Sequence, residues 1–211
     1  MSDGGLSSIW MRPFSKAQGI ARHLNITNET KVSVPLEVMR FWQDVADDRN
    51  VKGVLRILPF GEKTPFGETF GAEKCVLYVS GDPRITPLPF IKGNGVHEIR
   101  HMEQNRKPWL IDEVSRARLI KQLLIADGVS QQAANFHDKI NNPDTDFMDR
   151  HHEYLPEEID AYVFEREVGG FDGRRFSEEV RLALKDQAPW PDPKKFIVPM
   201  TRCYHAAGGE R

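Results

Sequence analysis

Cysteine is nearly missing from this chain: Cys75 and Cys203 are the only two in 211 residues, and they form neither a CxxC pair nor a disulfide framework. That excludes a stapled scaffold and fits a reducing compartment. An excess of one charge is also missing. With 29 basic and 31 acidic side chains and a net charge of −2, nothing draws the chain to phosphate backbones or anionic membranes. No nucleic-acid or membrane partner is expected. No window approaches the length of a membrane span, and the opening Met1-Ser2-Asp3-Gly4-Gly5 has no basic region followed by an apolar stretch, so cytoplasmic residence is expected. What is present is an ordinary globular balance, 39% hydrophobic and 28% charged, enough for one substantial domain with its own core.

Residues 1–30, rich in Ser, Gly and Asn, read as an N-terminal arm. Residues 31–188 read as the domain, and 189–211 as a proline-interrupted tail without regular structure. The first strong helix runs from Pro35 to about Asp47, where Val38, Phe41, Trp42 and Val45 make one apolar stripe. Val51–Pro59 and Lys74–Ser80 read as two strands, with GEKTPFGETFGAE between them as a loop. Gly93-Asn94-Gly95 ends a proline-punctuated stretch and leads into a helix of roughly Val96 to Asn105. Further helices are expected over Leu110–Asp127, over Ser130–Ile140, from Pro156 to about Val168 with Gly169-Gly170 as its stop, and from a Ser177 cap to about Gln187. The fold class expected from this pattern is α+β, a small sheet packed on several helices.

The chemistry sits in His97-Glu98-Ile99-Arg100-His101. A helix stacks residues i and i+4 on one face, so both imidazoles can meet one ion. Glu98 follows about 100° round the helix, turned off the ion but within reach of a water beside it, which is the position of a general base. A catalytic zinc has three protein ligands and one open position. Downstream, His137, His151, His152, Glu153, Glu157 and Glu158 are the candidates for the third, and the helix opening at Pro156 is the best-ordered platform among them. Glu158 is preferred. Glu157 is its rival, rotated by about 100°, and Glu153 would serve if that helix began earlier. Tyr162, four residues on from Glu158 and on its face, is a candidate to stabilise a developing oxyanion. Asp112 and Asp160 are candidate acceptors for the imidazole N–H groups.

An HExxH helix followed by a later helix carrying Glu158-Ile159-Asp160-Ala161 resembles the gluzincin class of metallopeptidases. The resemblance spans Lys74 to about Val168. It implies a zincin-like fold, Zn2+ as cofactor with His97, His101 and Glu158 as ligands, a small residue at Ala161 that lets the two helices approach, and hydrolysis of a peptide or protein substrate. It is nearest to the minimal, phage- or toxin-associated forms of that class. A binding or structural protein that keeps the fold without turnover, docked to a larger assembly through its terminal segments, is the alternative, and hydrolysis of a non-peptide amide is a third. The strand Lys74–Ser80 is a candidate to pair with an extended substrate.

Overall fold

In a computed structural model, residues 23–61, 64–107 and 156–201 are described. They form β1 (Leu24–Asn28), α1 (Leu36–Asp48), β2 (Gly53–Pro59), β3 (Gly67–Phe70), β4 (Lys74–Val79) and α2 (Leu88–Arg106). Then come α3 (Pro156–Phe164), a π-helical turn (Glu165–Gly169), α4 (Gly173–Leu184) and a 3-10 turn (Pro193–Phe196). The architecture is α+β, a small mixed sheet with helices. The expected helices over 110–127 and 130–140 lie outside the described residues, as do residues 1–22 of the arm, Asp112, His137, His151, His152, Glu153 and Cys203.

The sheet order is β1-β2-β4-β3, with β1, β2 and β4 parallel and β3 antiparallel to β4. Period-two alternation puts Leu55 and Ile57 of β2 and Cys75, Leu77 and Val79 of β4 on one face. These side chains are buried against Val38, Trp42 and Val45 of α1 and Val96, Ile99 and Met102 of α2. On the other face Arg56 grips Glu29 through two hydrogen bonds of 2.8 and 2.7 Å, and Tyr78 donates to Glu68. A second cluster, Phe66, Phe90, Phe171, Phe176, Val180 and Phe196, joins α4 to the sheet and to α2.

Five expectations change, the last of them in the tail. Part of the arm is a strand: β1, within residues 1–30, pairs with β2 from Leu24↔Gly53 to Asn28↔Ile57. The stretch LNITN shows little apolar signal, because at a sheet edge only Leu24 is fully buried. Part of the loop is also a strand, since β3 lies inside GEKTPFGETFGAE, and it takes the edge position that leaves β4 in the interior. Gly93-Asn94-Gly95 lies within α2, which begins eight residues before Val96. Glycine at the centre of a helix costs about 1 kcal/mol against alanine, and here contact explains it: a Cβ on Gly95 would stand 2.3 Å from the Trp42 indole, whose Nε1 donates to the Lys92 carbonyl at 2.9 Å. Ser177 does not cap α4. It sits in the second turn and donates back to the Arg174 carbonyl at 2.8 Å, while Asp172 precedes the helix.

The stop at Gly169-Gly170 stands, with Gly170 left-handed at φ 73°. The tail is more regular than its prolines suggest. Asp172 N–H donates to the Phe196 carbonyl and Val198 N–H to the Gly170 carbonyl, and Phe196 is buried in the second cluster.

Candidate metal centre

Three sides of α2 have different neighbours, and this division builds the site. Val96, Ile99 and Met102 are fully buried in the core. Glu98 faces β3, and His97 and His101 face α3. Helix α3 in turn presents Glu158, Tyr162 and the following Glu165 at i, i+4 and i+7, one stripe of a 3.6-residue period. Ala161, expected to let the helices come close, is completely buried.

His97, His101 and Glu158 converge. Nε2 of His97 lies 3.0 Å from Nε2 of His101 and 3.2 Å from Glu158 Oε2, and His101 Nε2 lies 3.1 Å from Glu158 Oε1. The carboxylate straddles the two rings. A tetrahedral ion with bonds of about 2.0–2.1 Å separates its ligands by roughly 3.3 Å, so these three separations fit a zinc-sized ion after small outward shifts. The donor set, two imidazole nitrogens and a carboxylate, is one that zinc accepts. Among the described residues this is the one group of three or more such side chains close enough to hold a metal.

Glu157, the rival ligand, is absent from that group; its carbonyl oxygen accepts from Gln104 Nε2 at 3.0 Å. Asp160 does not touch an imidazole. Its carboxylate takes Arg100 Nε at 2.6 Å and Nη2 at 3.2 Å, and Gln104 Nε2 at 2.8 Å. Arg100 also bonds Glu103 at 2.5 Å, so a charged residue inside the motif ties α2 to α3.

Gln104 is a site residue that the sequence motif does not announce. Its Nε2 donates to two acceptors, which assigns the amide oxygen to the other side, 2.7 Å from His101 Nδ1. An amide oxygen only accepts, so Nδ1 carries a proton whether the ring is charged or neutral, and Nε2, which faces Glu158, is the nitrogen that would ligate once unprotonated. The signal is local: Gln104 is i+3 from His101. Thr69 is another such residue. Its hydroxyl lies 2.7 Å from Glu98 Oε2, and a Cβ on Gly67 would lie 2.2 Å from Glu98 Oε1, so β3 holds the Glu98 carboxylate between a donor and a notch. That signal appears only once β3 is recognised as a strand.

Electrostatics follow from burial and the imidazoles. Burial pushes the Glu98 carboxyl above its ordinary value, against the pull of His97, His101 and Thr69. For Glu158 burial also works upwards, but hydrogen bonds and charge from His101 and His97 outweigh it and hold the group well below the usual carboxylate range. Burial disfavours the His101 cation, yet the Glu158 hydrogen bond and charge, with Glu98 and Gln104, raise His101 to about 9. Tyr162 packs its ring 4.4 Å from His97, centroid to centroid, and burial beside Glu158 and Glu165 keeps its hydroxyl protonated far above neutrality.

These protonation preferences give the metal-free protein a pH signature. The raised His101 stabilises the fold fully below its ordinary 6.5 and loses that contribution as pH rises through about 9. The depressed Glu158 stabilises above its ordinary 4.5 and loses its contribution as pH falls below that. A tenfold difference in proton affinity between folded and unfolded chains is worth about 1.4 kcal/mol, so denaturant melts of chelator-treated protein should fall by on the order of 2–3 kcal/mol between neutral pH and pH 9.5. Glu158→Gln should flatten the decline, and an equal decline in that variant would contradict the pairing.

None of the described helices is long and apolar enough to cross a membrane. Comparison of the chain with protein-family models, with curated proteins and with solved structures finds no match.

Proposed function

We propose that this chain is a zinc-dependent metallopeptidase with a zincin-like domain, hydrolysing peptide bonds with Glu98 as general base. The observation that carries the reading is the convergence of His97, His101 and Glu158 from two helices, with Glu98 one helix position round from the first histidine. His97, His101 and Glu158 would hold zinc, which would supply a Lewis acid for a carbonyl and bring the pKa of water to about 7.

The remaining work falls to the chain's own groups. Glu98, buried and with a raised proton affinity, takes a proton from the attacking water and passes it to the departing amine. Thr69 holds Glu98 Oε2 so that the carboxylate does not swing away. Tyr162, protonated at working pH and with its ring against His97, serves in this reading as the donor to the oxygen that gains charge. An extended substrate has β3, at the edge of the sheet, as its strand partner, in place of the interior β4.

The test is direct. Purified protein should contain one zinc per chain and cleave an unfolded protein substrate, losing cleavage to a chelator and regaining it with added zinc. A preparation that neither carries nor takes up zinc sinks the proposal. One observation favours a second reading, a zincin-like binding component without turnover: Glu98 is only 4% exposed beneath β3. Zinc binding without cleavage of any peptide in a broad fluorogenic library would favour that reading.

A further inference from the structure

Beside the three ligands lies a fourth acid that the mechanism does not use. Glu165 is 1% exposed, and among the described residues its Oε1 has no hydrogen-bond partner. Three glycines enclose it: a Cβ on Gly173 or Gly93 would stand 2.1 or 2.7 Å from Oε1, and one on Gly169 would stand 3.7 Å from its Cγ. A buried carboxylate left this way is costly, so a polar group or cation should face it.

Among the described residues the basic side chain with a nitrogen within 4 Å of it is His97. Glu165 Oε2 lies 3.7 Å from His97 Nδ1, and that nitrogen is itself buried without a hydrogen-bond partner among the described residues. The donor-capable His97 Nδ1 thus lies about half an ångström beyond hydrogen-bond range of Glu165 Oε2, the other oxygen of the carboxyl whose Oε1 is unpartnered. The other side of the same ring, Nε2, is turned to Glu158 and His101. His101 has its Nδ1 acceptor in Gln104, whereas His97 Nδ1 has none within bonding distance among the described residues.

Placement of Glu165 is a product of the backbone. It is i+7 from Glu158, on the stripe that faces α2, and it opens the π-helical turn in which Gly170 N–H reaches back to the Glu165 carbonyl at 3.1 Å. The turn lowers Gly169 onto Gly93, with an ideal Cβ only 2.9 Å from the Gly93 Cα. A side chain at either glycine would push α2 away from the turn, and Glu165 away from His97.

We propose that Glu165 is the positioning residue of His97: it accepts the Nδ1–H of that imidazole when the metal draws Nε2 outward, and so selects the tautomer that ligates. The inference rests on the metal-site reading above. Carboxylate acceptors of this kind fix ring orientation and raise ligand basicity, and their loss typically weakens metal binding by about 10–100-fold.

The experiment uses the full chain, with zinc alone as the ligand. Affinity is measured by competition with a chromogenic chelator for the wild type and for Glu165→Gln, which keeps the volume and removes the ionisable carboxyl. In parallel, the exchangeable ring protons of the cobalt-substituted wild type are observed by NMR. The expected result is a zinc affinity about 10–100-fold weaker in the variant, with unchanged or higher Tm when metal-free. A slowly exchanging Nδ1–H on His97 is expected in the wild type. In Glu165→Gln that resonance shifts, while the His101 resonance, held by Gln104, stays in place. A merely structural acid would leave affinity and the His97 resonance unmoved, and that outcome overturns the proposal while the metal site stands. Ligation of His97 through Nδ1 in the wild type overturns it as well, with no variant required. Failure of the wild type to bind zinc overturns the metal-site reading and this proposal with it.

Discussion

Glu98→Gln should lower peptide hydrolysis by about 10²–10⁴-fold, the usual contribution of a positioned base, while zinc content stays at one per chain. The local geometry makes this substitution unusually clean. Glu98 is not among the converging ligands, so the ion keeps all three. The amide has the volume of the carboxyl it replaces, so the notch at Gly67 still accommodates it, and an amide oxygen still accepts from Thr69. Removing a carboxyl whose burial already disfavours ionisation should leave Tm equal or raise it. Turnover per bound zinc, measured beside metal content and a thermal melt, separates loss of chemistry from loss of fold. Activity retained within a few-fold of wild type would remove Glu98 from the mechanism.

A second large effect is expected from His101→Ala. If a zinc site worth about 10–16 kcal/mol is shared among the three side-chain ligands, deleting one costs roughly 10²–10⁴-fold in affinity, and activity at trace zinc should vanish. The same change removes the imidazolium that holds Glu158 ionised, since His101 is the largest of the influences lowering that carboxyl. A buried carboxylate deprived of its cation destabilises the fold, so the metal-free variant should melt lower than the wild type at pH 6. Raising the pH to 9.5 should close the gap, because there wild-type His101 is itself losing its proton. Wild-type zinc affinity in His101→Ala would place the ion elsewhere.

Much of the site is legible without the fold, and the reasons are local. His97 and His101 meet because they lie four residues apart on one helix, and Glu158 stands ahead of Glu157 for its place in a helix-borne pattern. The distances bring Glu158, and not Glu157, to both imidazoles. Strands β2 and β4 are visible as apolar runs because their side chains are buried in the sheet's centre. By contrast β1 and β3 are edge strands of four or five residues, and a polar edge looks like a loop until a neighbour supplies its hydrogen bonds. Gly93-Asn94-Gly95 misleads for a related reason. Local propensity counts glycine as a helix breaker, yet Trp42 and Glu165 both require a helix surface without side chains at Gly95 and Gly93.

The two imidazoles and the carboxylate beside them are legible from the chain alone, because a helical period turns a four-residue interval into one face and a one-residue step into a neighbouring one. Tertiary structure decided which distant groups complete the centre: Glu158 as the straddling carboxylate, Gln104 braced by Asp160, Thr69 on a strand that exists only in the sheet, and Glu165 buried against the far side of His97. Those partners lie far from the motif in the chain or outside any motif, and they meet it only because α2, α3 and β3 pack where glycines leave room.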